Sequence, residues 1–63
     1  MKKIKLYDAK FGQIINIKHL NLSDEKGGQI ETLVFVNTDG MFSNLKNRNE
    51  LVKLPSYLTV YLD

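Results

Sequence analysis

The chain contains no cysteine and no tryptophan, and only one proline, one arginine and one histidine. Each absence excludes something. Without cysteine there is no disulfide to staple a small fold and no thiolate to hold zinc or an iron–sulfur cluster. A lone arginine leaves little capacity for bidentate phosphate contacts. The longest uninterrupted apolar run, Leu33-Val34-Phe35-Val36, is far too short to span a bilayer. Met1-Lys2-Lys3-Ile4-Lys5-Leu6 starts basic but has no apolar stretch behind it, so no signal peptide is expected. Together these features point to a cytoplasmic protein with no membrane association.

What remains is a foldable 63-residue sequence. Leu, Ile, Val and Phe make up 21 of 63 residues, too many for intrinsic disorder, and the net charge is only +2. A chain of this length has room for one domain, residues 1–63. It buries only about 60% of its unfolded surface, and no metal or disulfide supplements that. Barrel closure or a second copy of the chain has to provide the missing burial, so a homodimer is among the expectations. Lysine, asparagine and isoleucine are over-used, as in an AT-rich genome, which suggests a phage-borne protein.

Period-2 apolar alternation dominates. It predicts strands over residues 3–8 and 13–22, the latter with a phase slip near Lys18-His19 that reads as a bulge. Ser23-Asp24-Glu25-Lys26-Gly27-Gly28 is a polar loop closing a hairpin. Gln29 to Asn37 is apolar on both faces in its second half and reads as the central strand. Thr38-Asp39-Gly40 is a second hairpin turn. The Asn-rich stretch 43–49 reads as a polar loop leading into one short helical turn near residues 49–54, with Asn49 as cap and Pro55 as terminator. Tyr57 to Leu62 closes the pattern as a last strand. The sum is a mainly β protein, either a small five-stranded antiparallel meander or an SH3-like barrel.

Two fragments carry the barrel alternative. Leu6-Tyr7-Asp8 resembles the opening motif of SH3 domains, and Leu54-Pro55-Ser56-Tyr57-Leu58-Thr59-Val60 resembles their closing segment. The departures are an alanine, Ala9, in place of the second motif tyrosine, no tryptophan pair after the middle loop, and Pro55 one residue too close to Tyr57. The resemblance implies a small barrel. It does not imply docking of proline-rich peptides, for which the aromatic groove is missing.

No catalytic set is visible. His19 lacks an orienting carboxylate and a nucleophile at any informative spacing, and no His/Cys/Asp/Glu cluster has metal-ligand spacing. Gly27-Gly28 lacks the pattern of a phosphate loop. The chain therefore reads as a non-enzyme with no cofactor. It reads instead as a module that binds a partner protein stoichiometrically and modulates or inhibits it. The candidate contact residues are Tyr57 and Tyr61, taken as a stripe on the last strand, then Met41 and Phe42 after the Asp-Gly turn, and Asn44, Asn47 and Arg48 of the Asn-rich stretch. The alternative is a nucleic-acid-binding β domain using Lys2, Lys3, Lys5, Tyr7, Lys10 and Lys18, cations interleaved with an aromatic ring.

Overall fold

The computed structural model describes all residues, 1–63. It is mainly β, as the alternation predicts, with six strands: β1 (Lys2–Lys5), β2 (Ile14–Asn16), β3 (Thr32–Asp39), β4 (Phe42–Asn47), β5 (Glu50–Pro55) and β6 (Thr59–Leu62). All six lie in one antiparallel sheet of order β1-β6-β2-β3-β4-β5. There is no α-helix, only 3-10 turns at Leu6–Asp8 and Lys18–Leu20.

One sheet supplies one core. Ile15, Leu33, Phe35, Leu45, Leu54 and Val60 point inward from five different strands, and Leu6, Ile17 and Ile30 complete the cluster from the flanking turns. No second layer covers these side chains, so the sheet itself curls round them. The curl is fastened where the two ends of the sheet approach. Leu6 N–H continues the β1–β6 pairing by donating to Leu58 O at 2.9 Å, and Tyr7 N–H then reaches the residue after β5, donating to Ser56 O at 3.0 Å. The two fragments that resemble SH3 domains are thus hydrogen-bonded side by side, at the seam where the chain after β1 meets the turn after β5.

Several local expectations are corrected by this packing. Residues 43–49 are not a loop but mostly strand β4, and residues 49–54 are not a helical turn but the core of strand β5. Asparagine disfavours strands, and Asn49-Glu50 imitates a helix cap, but propensity yields here to burial. Ser43 and Leu45 face inward while Asn44 and Lys46 face out, a period-2 pattern hidden by its polar content. With β5 added, the strand count is six rather than five. A two-residue loop, Arg48-Asn49, joins β4 to β5, and Arg48 takes the left-handed conformation at φ 58°.

The phase slip near Lys18-His19 is a 3-10 turn rather than a bulge. It ends on Asn21 at φ 53°, a residue that tolerates the left-handed region. The turn lets Ile15 and Ile17 before it, and Leu20 and Leu22 after it, pack against the same core. The bulge lies instead in β3, between Phe35 and Asn37. It flips the phase of that strand, so that Phe35 and Thr38 share the face of their β4 partners Leu45 and Ser43, with Thr38 itself exposed, and it adds bend where the sheet must curve. β3 is central in the sheet order but is covered on one face only. Leu33 and Phe35 are buried, whereas Val34 is exposed.

This assignment of faces sets unequal costs for adjacent residues. Leu33→Ala is expected to lower stability by about 2–5 kcal/mol, and Val34→Ala by less than about 1 kcal/mol. Urea denaturation followed by circular dichroism measures both. Equal losses would mean that β3 is covered on both faces.

Candidate protein-interaction site

The most distinctive surface is built around Ser56, just past the proline that ends β5. Its backbone joins three segments. Ser56 N–H donates to Met41 O at 2.8 Å, Ser56 O accepts from Tyr7 N–H, and the preceding Pro55 pairs with Phe42. Four residues on these joined segments carry large exposed side chains: Tyr7, Met41, Phe42 and Tyr57. Met41, at the tip of the β3–β4 hairpin, is 74% exposed. That hairpin has a two-residue loop, Gly40-Met41, with Gly40 at φ 64°, the left-handed first position that glycine fills without strain.

Beneath the corner runs a chain of hydroxyls. Ser43 Oγ lies 3.0 Å from Thr38 Oγ1 and 2.9 Å from Ser56 Oγ, and Ser56 Oγ lies 3.1 Å from Gly40 O. A carbonyl only accepts, so Ser56 donates to Gly40 O. Ser43 then donates to Ser56, and Thr38 donates to Ser43. The chain ties β3, β4, the Gly40-Met41 loop and the β5–β6 turn into one rigid support. Ser43 and Ser56 are buried, and no buried side-chain polar atom lacks a partner. The β3 bulge makes this possible, because only the flipped phase turns Thr38 toward Ser43. The network consists of three hydroxyls and one carbonyl.

The structure brings together some of the expected contact residues and separates others. Met41, Phe42 and Tyr57 share the corner. Asn44 lies next along the outer face of β4, where its Nδ2 donates to Asn37 Oδ1 at 2.8 Å. The Lys53 ammonium sits 5.8 Å from the Phe42 ring centre, a cation–π contact. Asn47 and Arg48 stand at the far end of β4, away from the corner. Tyr61 does not form a stripe with Tyr57. Pro55 and the turn that follows delay β6 until Thr59, so Tyr57 lies outside the strand. Tyr61 instead meets His19 edge-on, with ring centres 5.1 Å apart. His19 Nε2 is 2.9 Å from Thr59 O, which requires the proton on Nε2. Tyr7 is the corner residue that periodicity alone assigned elsewhere, among the lysines. The signal that could have placed it was its position in the SH3-like opening fragment, opposite the closing one.

Two other surfaces stand out. Lys2, Lys3, Lys5 and Lys10 surround one shallow depression that also contains Asp8. Lys5 Nζ is anchored there by Thr59 Oγ1 at 3.0 Å. Lys18 and Tyr7 lie outside it, and Lys18 faces Glu31 at 3.9 Å in an exposed pair. The second surface is a row across the outer face, Ile14–Val34–Lys46–Leu51, set by strand register. Its three apolar members are exposed, Leu51 to 72%. No group of three or more His, Cys, Asp or Glu is placed to hold a metal ion, and no helix is long and apolar enough to cross a membrane.

No protein-family model, no curated protein and no solved structure matches this chain.

The hydroxyl chain makes a specific demand on stability. Ser43→Ala removes the donor to Ser56 and the acceptor for Thr38, and is expected to cost about 1–3 kcal/mol. Amide exchange at Ser56, whose N–H bonds to Met41, should quicken more than exchange at Leu33 on the far side of the bulge. Hydrogen-exchange NMR measures both rates, and uniform acceleration would show that the network does not specifically support the corner.

Proposed function

We propose that this protein is a non-catalytic binding module that engages a partner protein stoichiometrically through the corner around Ser56, modulating or inhibiting that partner. The observation that supports the reading is the grouping of exposed Tyr7, Met41, Phe42 and Tyr57 on a backbone that Ser56 holds together, donating to Met41 O and accepting from Tyr7 N–H. Aromatic and methionine side chains are the residue types that dominate interface energetics. A rigid support reduces the ordering cost of binding, because little conformational freedom remains to be lost. A chain this short has almost no volume for an enclosed active site, which favours surface recognition over catalysis. The reading includes a cytoplasmic setting, a phage-type origin consistent with the Lys-, Asn- and Ile-rich composition, and a second copy of the chain as a further partner.

A second reading has its own observation. Four lysines, at positions 2, 3, 5 and 10, converge on one depression. That arrangement suits a polyanion such as single-stranded nucleic acid. The nearby Asp8 and the low net charge of +2 weigh against it.

Binding measurements separate the two readings. For a protein partner isolated by affinity capture, Met41→Ala and Tyr57→Ala are each expected to weaken binding by about tenfold or more, with little dependence on salt. Lys3→Glu combined with Lys5→Glu should leave that affinity nearly unchanged. For an oligonucleotide the pattern reverses, with affinity falling steeply as salt rises. Calorimetry on the same three variants measures all of these effects.

A further inference from the structure

The sheet has two edges, β1 and β5, and their chemistry differs. The phase of hydrogen bonding along β5 follows from one bond. Ser56 N–H bonds to Met41 O, and the β4–β5 register continues that pairing through Ser43–Leu54, Leu45–Val52 and Asn47–Glu50. Antiparallel pairs alternate, so the intervening residues Leu51, Lys53 and Pro55 direct their backbone groups away from β4. Proline at the outward position is consistent with this phase, because its missing N–H costs no ladder bond there. Pro55 O already accepts from Leu58 N–H. The open edge therefore presents the N–H and C=O groups of Leu51 and Lys53.

The geometry points to β5 pairing with β5 of a second copy in an antiparallel two-fold dimer, with Val52 opposite itself on the axis. In this register Leu51 N–H donates to the partner's Lys53 C=O, and the partner's Lys53 N–H donates to Leu51 C=O. The two-fold axis repeats both bonds, so every free group on the edge is satisfied. Paired residues must share a face of the continued sheet, and Leu51 and Lys53 both lie on the outer face. A shift by two residues in one direction pairs Lys53 with loop residue Asn49. A shift in the other sets Lys53 against the partner's Lys53 and uses Pro55, which has no donor. In the favoured register the aliphatic stem of Lys53 covers the partner's exposed Leu51. The apolar row Ile14–Val34–Lys46–Leu51 then runs up to the seam from both copies.

The other edge explains why assembly stops at two. On β1 the Leu6–Leu58 bond sets the same kind of phase, and Lys3 and Lys5 are the outward residues. Self-pairing there would set lysine against lysine, the usual protection of an exposed strand. A guarded edge beside an unguarded one gives a closed pair rather than a fibre.

Sedimentation equilibrium over a micromolar to millimolar series tests this, together with cysteine crosslinking, which the natural absence of cysteine makes clean. The wild-type protein is expected to show a reversible monomer–dimer equilibrium. Val52→Cys should oxidise to a disulfide-linked dimer, because unbonded facing residues sit about 4.5 Å apart at their α-carbons, within disulfide range. Leu51→Cys, facing the partner's Lys53 rather than itself, should crosslink at least tenfold more slowly. Lys53→Pro, which removes the outward N–H and the side chain over Leu51 but no β4–β5 ladder bond, should weaken dimerisation at least tenfold while keeping the wild-type circular dichroism spectrum. Leu51→Lys provides a check that keeps every backbone group, and should also give a monomer. A wild-type protein that stays monomeric throughout overturns the proposal, as does faster crosslinking of Leu51→Cys than of Val52→Cys, or a dimer that survives both Lys53→Pro and Leu51→Lys.

Discussion

A single sheet must supply every wall of its own core, and most of the structure follows from that constraint. Inward residues arrive from β2, β3, β4, β5 and β6 and meet in one cluster. A flat sheet would leave them wet. Curling removes them from water, but only if the strands bend and the ends are fastened. The bulge between Phe35 and Asn37 supplies bend, and the Tyr7–Ser56 hydrogen bond fastens the seam. The apolar contribution is non-directional, whereas these few backbone bonds set the geometry that the apolar residues fill.

The same closure creates the candidate site. The segment that fastens the sheet also carries Tyr7 and Tyr57, and the hairpin it meets carries Met41 and Phe42. Their exposure follows from position. The buried positions near Ser56 are taken by the hydroxyls of Ser43 and Ser56, small groups that bond to each other and, at the exposed end of the chain, to Thr38. Large apolar side chains on this part of the backbone therefore remain at the surface. A polar network rigidifies when its buried members are satisfied, as Ser43 and Ser56 are here. Rigidity and surface apolarity at one place are what a recognition surface requires.

How much was legible before the fold was known varied by residue. Ile15, Leu33 and Phe35 were readable as strand residues because their alternation is strong, whereas Ile17, read in the same strand, lies just past its end. β4 and β5 were not, because Asn44, Asn47 and Asn49 carry loop and cap signals that local reasoning weights heavily. Neighbouring strands override those signals by pairing the backbone, and that information lies outside the segment. Met41, Phe42 and Tyr57 were recognisable as contact candidates from residue type and turn position. Their association with Tyr7 was not, since Tyr7 and Tyr57 are fifty residues apart in the chain and meet only through the seam.

The absences at the outset retain their force. Lacking cysteine, tryptophan and any ligand cluster, the sequence by itself determined a mainly β architecture, excluded a thiolate metal site or disulfide scaffold, and identified apolar residues in search of burial. Those are consequences of composition and local period, which a chain carries in any conformation. Tertiary structure alone decided which face of β3 is covered, where the phase flips, that Ser43 and Ser56 are buried, and which edge is left unguarded. Each of these depends on register, and register is a relation between segments distant in sequence, so no local pattern contains it.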